Sequence, residues 1–172
     1  MIGLDVHIAV SADTPPAWVS QCFRSVHAAA SAAGYPVVVH CIEGVPGHIG
    51  RARAAGFECG EHAHCTFVDD DDYVAPEAFA ALAPALHLNP RLAFTSEVLL
   101  QNDRSAGVAR MHHLALLRRE DAIAHPWADY PAGGEGELYA KLGEPLLIDA
   151  PVYFHRLYRS KGRALRGGLR HG

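Results

Sequence analysis

The sequence predicts an α/β protein with a mostly parallel central sheet and helices on both faces. Three observations carry that reading. Short apolar runs at 6–10, 36–42 and 65–68 alternate with segments of helical spacing, the pattern of strand–helix–strand units. Glycine and proline punctuate the boundaries, at Gly34, Gly44, Pro46 and Gly47. Four consecutive carboxylates, Asp69, Asp70, Asp71 and Asp72, directly follow the third run, and ligands of such sheets gather outside the carboxyl ends of the strands.

The elements follow in order. Residues 6–10 alternate weakly and read as a first buried strand. Ser11, Ala12 and Asp13 make the loop after it. Thr14 is a suitable N-cap and Pro15 suits the first helical position. Trp18, Val19, Cys22, Phe23, Val26 and Ala30 then recur at helical spacing until Gly34 closes the helix. The β-branched run at 36–42 is a second strand. A short helix at 49–59 and a third strand at 65–68 follow. Pro76 opens a helix over 77–88, which Pro84 should kink. Residues 92–96 read as a strand, and 109–117 as another that ends at the polar Arg118, Arg119, Glu120 and Asp121. A short helix at 137–142 follows the glycine-rich 131–134, and short strands at 146–148 and 152–154 close the pattern. With no internal repeat or low-complexity linker, 1–160 read as one domain and 161–172 as a basic tail.

A chain of 172 residues, 49% apolar and 20% charged, can bury one sizeable core. No stretch approaches the roughly 18 apolar residues a membrane span needs. The first residues carry neither the basic region nor the cleavage signal of a leader, so a cytoplasmic location is expected. Cys22, Cys41, Cys59 and Cys65 sit mostly in apolar contexts and read as small core residues rather than a disulfide framework. The net charge of −4 hides an asymmetry, because Arg156, Arg159, Lys161, Arg163, Arg166 and Arg170 crowd the end of the chain. Such a tail suits the phosphates of a donor, a nucleic acid or a membrane surface, and equally a solvated end.

Four adjacent carboxylates repel one another and are costly at a strand's end unless a cation sits among them. Hard oxygen ligands suit Mg²⁺ or Mn²⁺ carrying a phosphate-bearing ligand. The alternative is a solvated acidic turn. Strand alternation would point Asp70 away from Asp69, leaving it a bystander. A second cluster, Cys59, His62, His64 and Cys65, has the atoms zinc prefers. Adjacent His64 and Cys65 would point apart, however, so this stretch reads as a helix–loop–strand connection.

Ala52-Arg53-Ala54-Ala55-Gly56, then a spacer, then Phe67-Val68-Asp69-Asp70-Asp71-Asp72 resembles family 2 glycosyltransferases of the GT-A fold. Their pattern is roughly Ala-Arg-Asn-x-Gly, about a dozen residues, then Phe-Leu-Asp-x-Asp-Asp. Arg53, Gly56 and Gly60 fall on the arginine, the glycine and a small residue; Asp69, Asp71 and Asp72 fall on the three aspartates. Downstream, residues 111–120 are similar to the strand that leads to Arg-Arg-Glu. Residues 134–142 are similar to a Gly-Glu-Asp motif and its helix, and 153–158 to the closing Tyr-Arg-x-His strand. The chain departs from the pattern at several places. Ser11-Ala12-Asp13-Thr14-Pro15 replaces Pro-x-Tyr-Asn, and the second strand ends in Ile42-Glu43-Gly44 rather than Asp-Asp-Gly-Ser. Ala54 replaces the Asn, Gly136 stands where Asp is usual, and Tyr158 stands where His is common.

The resemblance implies a GT-A-like Rossmann-type sandwich and a DXD-type, metal-dependent reaction. A sugar would pass from a nucleotide-diphosphate sugar to an acceptor hydroxyl, with inversion. It implies Mn²⁺ or Mg²⁺ on Asp71, with Asp69 contacting the ion and the sugar or ribose, and Asp72 ligating or orienting. His155 would complete the metal shell or touch the diphosphate, and Arg53 would meet donor phosphates. Asp13 and Glu43 lie where family carboxylates read the donor base. Glu135 and Glu137 are both candidates for the general base, which must lie within reach of the acceptor hydroxyl. Neighbours on a strand, His112 and His113 cannot both face one cleft. The acceptor, whether glycan, lipid-linked, protein or nucleic acid, stays open. Two other readings stand beside this one: a nucleotidyltransferase acting on a sugar phosphate, and a nucleic-acid-binding module using the basic tail. The first strand lacks the glycine-rich phosphate loop that the former commonly carries.

Overall fold

The computed structural model describes residues 2–109, 113–125, 127 and 135–157. Strands β1 (Leu4–Val10), β2 (Val37–Glu43) and β3 (His64–Asp69) are joined by helices α1 (Pro16–Ala32) and α2 (Ile49–Glu58). After β4 (Tyr73–Val74) come α3 (Ala78–Leu88), β5 (Leu92–Gln101), β6 (Arg104–Ala109) and β7 (Leu116–Arg118). Helices α4 (Arg119–Ala124) and α5 (Glu135–Leu142) precede the long β8 (Leu146–Arg156). The eight strands form one sheet in the order β2-β1-β3-β7-β5-β8-β4, with β6 also on β5. The long ladders, β1 with β2, β1 with β3 and β5 with β8, are parallel. The shorter strands β4, β6 and β7 add antiparallel pairings.

Strand alternation sorts the core into two layers. Leu4, Val6 and Ile8 of β1 are fully buried in one cluster with Cys22, Val26 and Ala29 of α1 and Phe79 and Leu82 of α3. On the opposite face, Cys65 and Phe67 of β3 meet Phe57 of α2, Ala122 of α4, Trp127 and Leu138 of α5. The expected helices on both faces are therefore present. Between β1 and α2 the approach is close: a Cβ at Gly56 would lie 3.1 Å from His7 Cγ, so the absence of a side chain there lets the helix sit down on the strand.

At the amino end of the sheet a polar clasp replaces apolar packing. Asp5 is 1% exposed. It accepts His40 Nε2 at 2.8 Å, the His62 backbone N–H at 2.8 Å and the Arg119 guanidinium. Arg119 also donates to the carbonyls of His62 and Phe57, each at 2.7 Å, and to that of Cys59. Gly60 has φ +88 and a Cβ there would collide with the Asp5 carboxyl, so this turn demands glycine twice over. These bonds occupy the stretch weighed above as a zinc site. Cys59 Sγ bonds the Ala55 carbonyl at 3.3 Å, and none of its cysteines or histidines joins a metal-ligand group among the described residues.

The structure refines the element boundaries. Helix α1 starts one residue later, with Pro15 rather than Thr14 at the N-cap; the Thr14 side chain bonds Asp70 instead. Helix α3 runs through Pro84 and closes on Asn89 at φ 52, a left-handed cap. The strand expected at 92–96 extends to Gln101 and turns back into β6 through Asn102 and Asp103, at φ 53 and 57, the two positive angles a tight hairpin turn requires. The strand expected at 109–117 is thus divided between the end of β6 and β7, and Leu114 at φ 50 breaks the extended run before β7. Finally, the strands expected at 146–148 and 152–154 are one strand, β8. Register shifts opposite Thr95, Ser96 and Glu97 let it absorb Pro151. Residues 161–172 of the predicted tail, together with His112 and Tyr158, lie outside the described residues.

Candidate active site

The acidic run forms the tight turn between β3 and β4, closed by the Asp72 N–H bonding the Asp69 carbonyl at 3.1 Å. The turn lies at the carboxyl end of β3, beside the loop that leaves β1; Ala9 and Asp69 are register partners. The four side chains part company there. Asp70 turns to the β1 side and accepts the Ser11 N–H at 2.7 Å. It is 7% exposed. It points away from Asp69 as expected, yet it is no bystander, because it pins the β1–α1 loop to the turn.

Asp72 is fully buried. Its Oδ2 accepts the Tyr153 hydroxyl and His155 Nδ1, each at 2.9 Å, and its Oδ1 accepts the Arg156 N–H at 2.7 Å. These bonds tie the turn to β8. Arg156 completes the tie by donating to the Asp71 carbonyl, to Asp103 Oδ1 at 3.0 Å and to Gln21 Oε1 at 2.6 Å. Asp69 is paired with Arg53, which is 5% exposed and has its guanidinium 3.5 Å above the Phe67 ring. Burial pushes the Asp69 carboxyl up, but Arg53, His113 and His155 together outweigh it and hold the group below the ordinary carboxylate range. For His155, burial acts downward, yet the Asp72 hydrogen bond and the charges of Asp72, Glu97 and Asp69 raise it.

Among the described residues, two groups of side chains have ligand atoms within 4.8 Å of one another: Asp69, Asp71 and Asp72, and Asp72, His113 and His155. Carboxylates in the first and imidazoles in the second suit a hard or borderline divalent ion, so the residues present fit Mg²⁺ or Mn²⁺. The structure thus brings Asp69, Asp71, Asp72, Arg53 and His155 into one cluster. Asp13 and Glu43 belong to neither group; they are exposed, Asp13 in the loop after β1 and Glu43 at the carboxyl end of β2. Glu135 and Glu137 open α5 on different faces. Glu135 is half-buried and shares a helical face with Leu138, Tyr139 and Leu142, whereas Glu137 is exposed. Tyr139 packs edge-on against Trp127, whose ring lies under the Arg53 guanidinium. Burial raises the Tyr139 phenol, and the charges of Arg53, Glu135 and Asp69 all reach it.

Glu97 was not singled out by sequence. It sits on β5 with no exposed surface and accepts His113 Nδ1 at 2.6 Å. The strand read from sequence ends at Ser96, one residue short of Glu97, and the register that sets Glu97 beside Tyr153 of β8 is not written in local pattern. His113 does carry a sequence signal, as one of two adjacent histidines, and it lies at the cluster; His112 is outside the described residues.

The fold is similar to those of several solved enzymes, glycosyltransferases among them. The S. aureus TarS 1-349 structure in complex with UDP-GlcNAc matches with a TM-score of 0.66 at 12% identity, over 94% of this chain and 60% of that one. A glycosyltransferase involved in glycosylation of the major capsid of PBCV-1 matches at 0.53 and 12%, over 90% and 93% of the two chains. The bifunctional IspDF from Campylobacter jejuni matches at 0.56 and 10%, over 87% and 50%. The chain spans about three-fifths of the TarS fragment it matches. No family model matches the sequence, and no curated protein does. At such identities the likeness defines architecture, and function has to be argued from the site.

Proposed function

We propose that this chain transfers a sugar from a nucleotide-diphosphate sugar to an acceptor hydroxyl, using Mn²⁺ or Mg²⁺ and inverting the anomeric centre. The observation that carries the reading is the convergence of Asp69, Asp71 and Asp72 ligand atoms within 4.8 Å at the carboxyl end of β3, where such sheets bind nucleotides. The ion would be held by Asp71, Asp69 and His155, and when bound it would supply Lewis-acid neutralisation of the departing diphosphate.

The chain's own residues then divide the work. Asp72, engaged on both oxygens by β8, orients the turn. Arg53 is buried against Asp69, which supports a positioning role through that carboxylate rather than direct reach to a phosphate. Asp13 and Glu43 flank the opening on the β1 and β2 side, where a base would lie in this reading. Glu135 is favoured as the general base because its helix face is the one that packs toward Arg53 and Asp69. TarS was solved with UDP and with UDP-GlcNAc, which makes uridine diphosphate sugars the first donors to try.

The test is donor hydrolysis or transfer with a panel of nucleotide sugars and Mn²⁺. Wild-type protein should release nucleoside diphosphate, and Asp71→Ala should lose at least a hundredfold in rate. Full activity in Asp71→Ala would sink the reading. Release of pyrophosphate from a nucleoside triphosphate and a sugar phosphate would instead favour the nucleotidyltransferase alternative.

A further inference from the structure

We propose that His113 is itself a ligand of the cation, oriented by the buried Glu97, so that the site presents nitrogen as well as oxygen and prefers Mn²⁺ to Mg²⁺. The inference rests on the metal-dependent reading above and adds two residues to it. Glu97 is an acceptor when ionised, so the 2.6 Å contact places the proton on His113 Nδ1. In the neutral ring that tautomer turns the Nε2 lone pair to the opposite side, toward Asp69. There Nε2 stands 3.6 Å from Asp69 Oδ2. That is too long for a hydrogen bond, and it is a separation two ligands of one ion adopt, since atoms each about 2.1 Å from a metal stand roughly 3 to 4 Å apart.

The ring cannot easily swing away. It stacks on Tyr153 at 5.0 Å and 10° and on His155 at 4.3 Å and 22°. Asp72, His113 and His155 already hold their ligand atoms within 4.8 Å of one another. An independent observation points the same way. Glu97 has no exposed surface, and its Oε1 has no hydrogen-bond partner among the described residues. A buried carboxylate with half its acceptors unsatisfied is costly. Positive charge beyond the imidazole offsets that cost, and carboxylate–histidine–metal chains are the recurrent form of this arrangement. Imidazole ligands favour Mn²⁺ and later ions over Mg²⁺.

The experiment uses the full chain loaded with Mn²⁺ alone, read by pulsed electron paramagnetic resonance for nitrogen couplings and by titration for affinity. Wild type should show two imidazole nitrogens, and His113→Gln should lose one while His155→Gln loses the other. Glu97→Gln should weaken Mn²⁺ about 10- to 100-fold and narrow the Mn²⁺ over Mg²⁺ preference, with Glu97→Asp recovering part of it. A wild-type spectrum with one nitrogen or none, or unchanged couplings and affinity in His113→Gln, overturns the inference while leaving metal dependence intact. The wild-type nitrogen count decides the matter even if a variant fails to fold. Absence of any Mn²⁺ binding overturns both this inference and the metal-dependent reading.

Discussion

His7 shows how one residue's surroundings translate into a measurable property. It is 3% exposed, donates Nε2–H to the Cys59 carbonyl at 3.2 Å and faces His40, Arg119 and Asp5. Burial is the main reason its pKa falls to about 4. Between about 6.5 and 4 the unfolded chain therefore binds a proton that the folded chain refuses. As pH falls through that window stability should drop by about 1.4 kcal/mol per pH unit, roughly 3 kcal/mol in total, with no further change from this group above or below it. Urea denaturation at pH 7.5 and 4.5 measures the drop, and His7→Gln should flatten it. An equal drop in the variant would mean other groups carry the dependence. At the same scale, sequence exposed the acidic run through the improbability of four adjacent like charges. It could not divide their labour, because Asp70 and Asp72 are defined by Ser11 and by β8, partners distant along the chain.

Among the elements, α5 and α4 carry the sharpest expectations. Two residues apart on a helix are on opposite sides, so Glu135 and Glu137 cannot both approach the cluster. Glu135→Gln should reduce kcat by about 10² to 10⁴ with donor KM nearly unchanged, while Glu137→Gln should stay within about twofold. The reverse ranking in steady-state kinetics would reassign the base. Helix α4 begins with Arg119, which locks the turn after α2 to β1 through Asp5. Arg119→Met leaves the Asp5 carboxylate short of its cation and should cost about 3 to 5 kcal/mol, read as a lowered denaturation midpoint with an unchanged slope. A loss below about 1 kcal/mol would show that His40 and the His62 N–H suffice. Local signals served the first half of the chain well, since its apolar runs and glycine breaks are contiguous. They served β5, β6, β7 and β8 poorly. The Asn102-Asp103 hairpin lacks the usual glycine, β7 is three residues long, and Pro151 reads as a break when the register shift in fact accommodates it.

For the whole molecule, the sheet order explains why distant segments meet at one place. Strand β3 delivers the carboxylates, β8 delivers His155, Tyr153 and Arg156, and β5 delivers Glu97, all within one sheet. Two aspects of the sequence reading took different courses. The alternation of strands and helices indicated the α/β architecture, because it is written in local hydrophobic period. The meeting of Asp72 with β8, and of Glu97 with His113, depends on strand order, which local period does not encode. No helix among the described residues is long and apolar enough to cross a membrane. The most direct measurement is thermal unfolding of the full chain with each nucleoside diphosphate, with and without Mn²⁺, in wild type and Asp71→Ala. Binding at a hundredfold excess over Kd contributes about 2.7 kcal/mol, so one diphosphate with Mn²⁺ should raise wild-type Tm by about 5 to 10 °C. Neither component alone, nor the pair with Asp71→Ala, should approach that shift. The same shift without Mn²⁺, or undiminished in Asp71→Ala, would contradict a cation–diphosphate site at the end of β3.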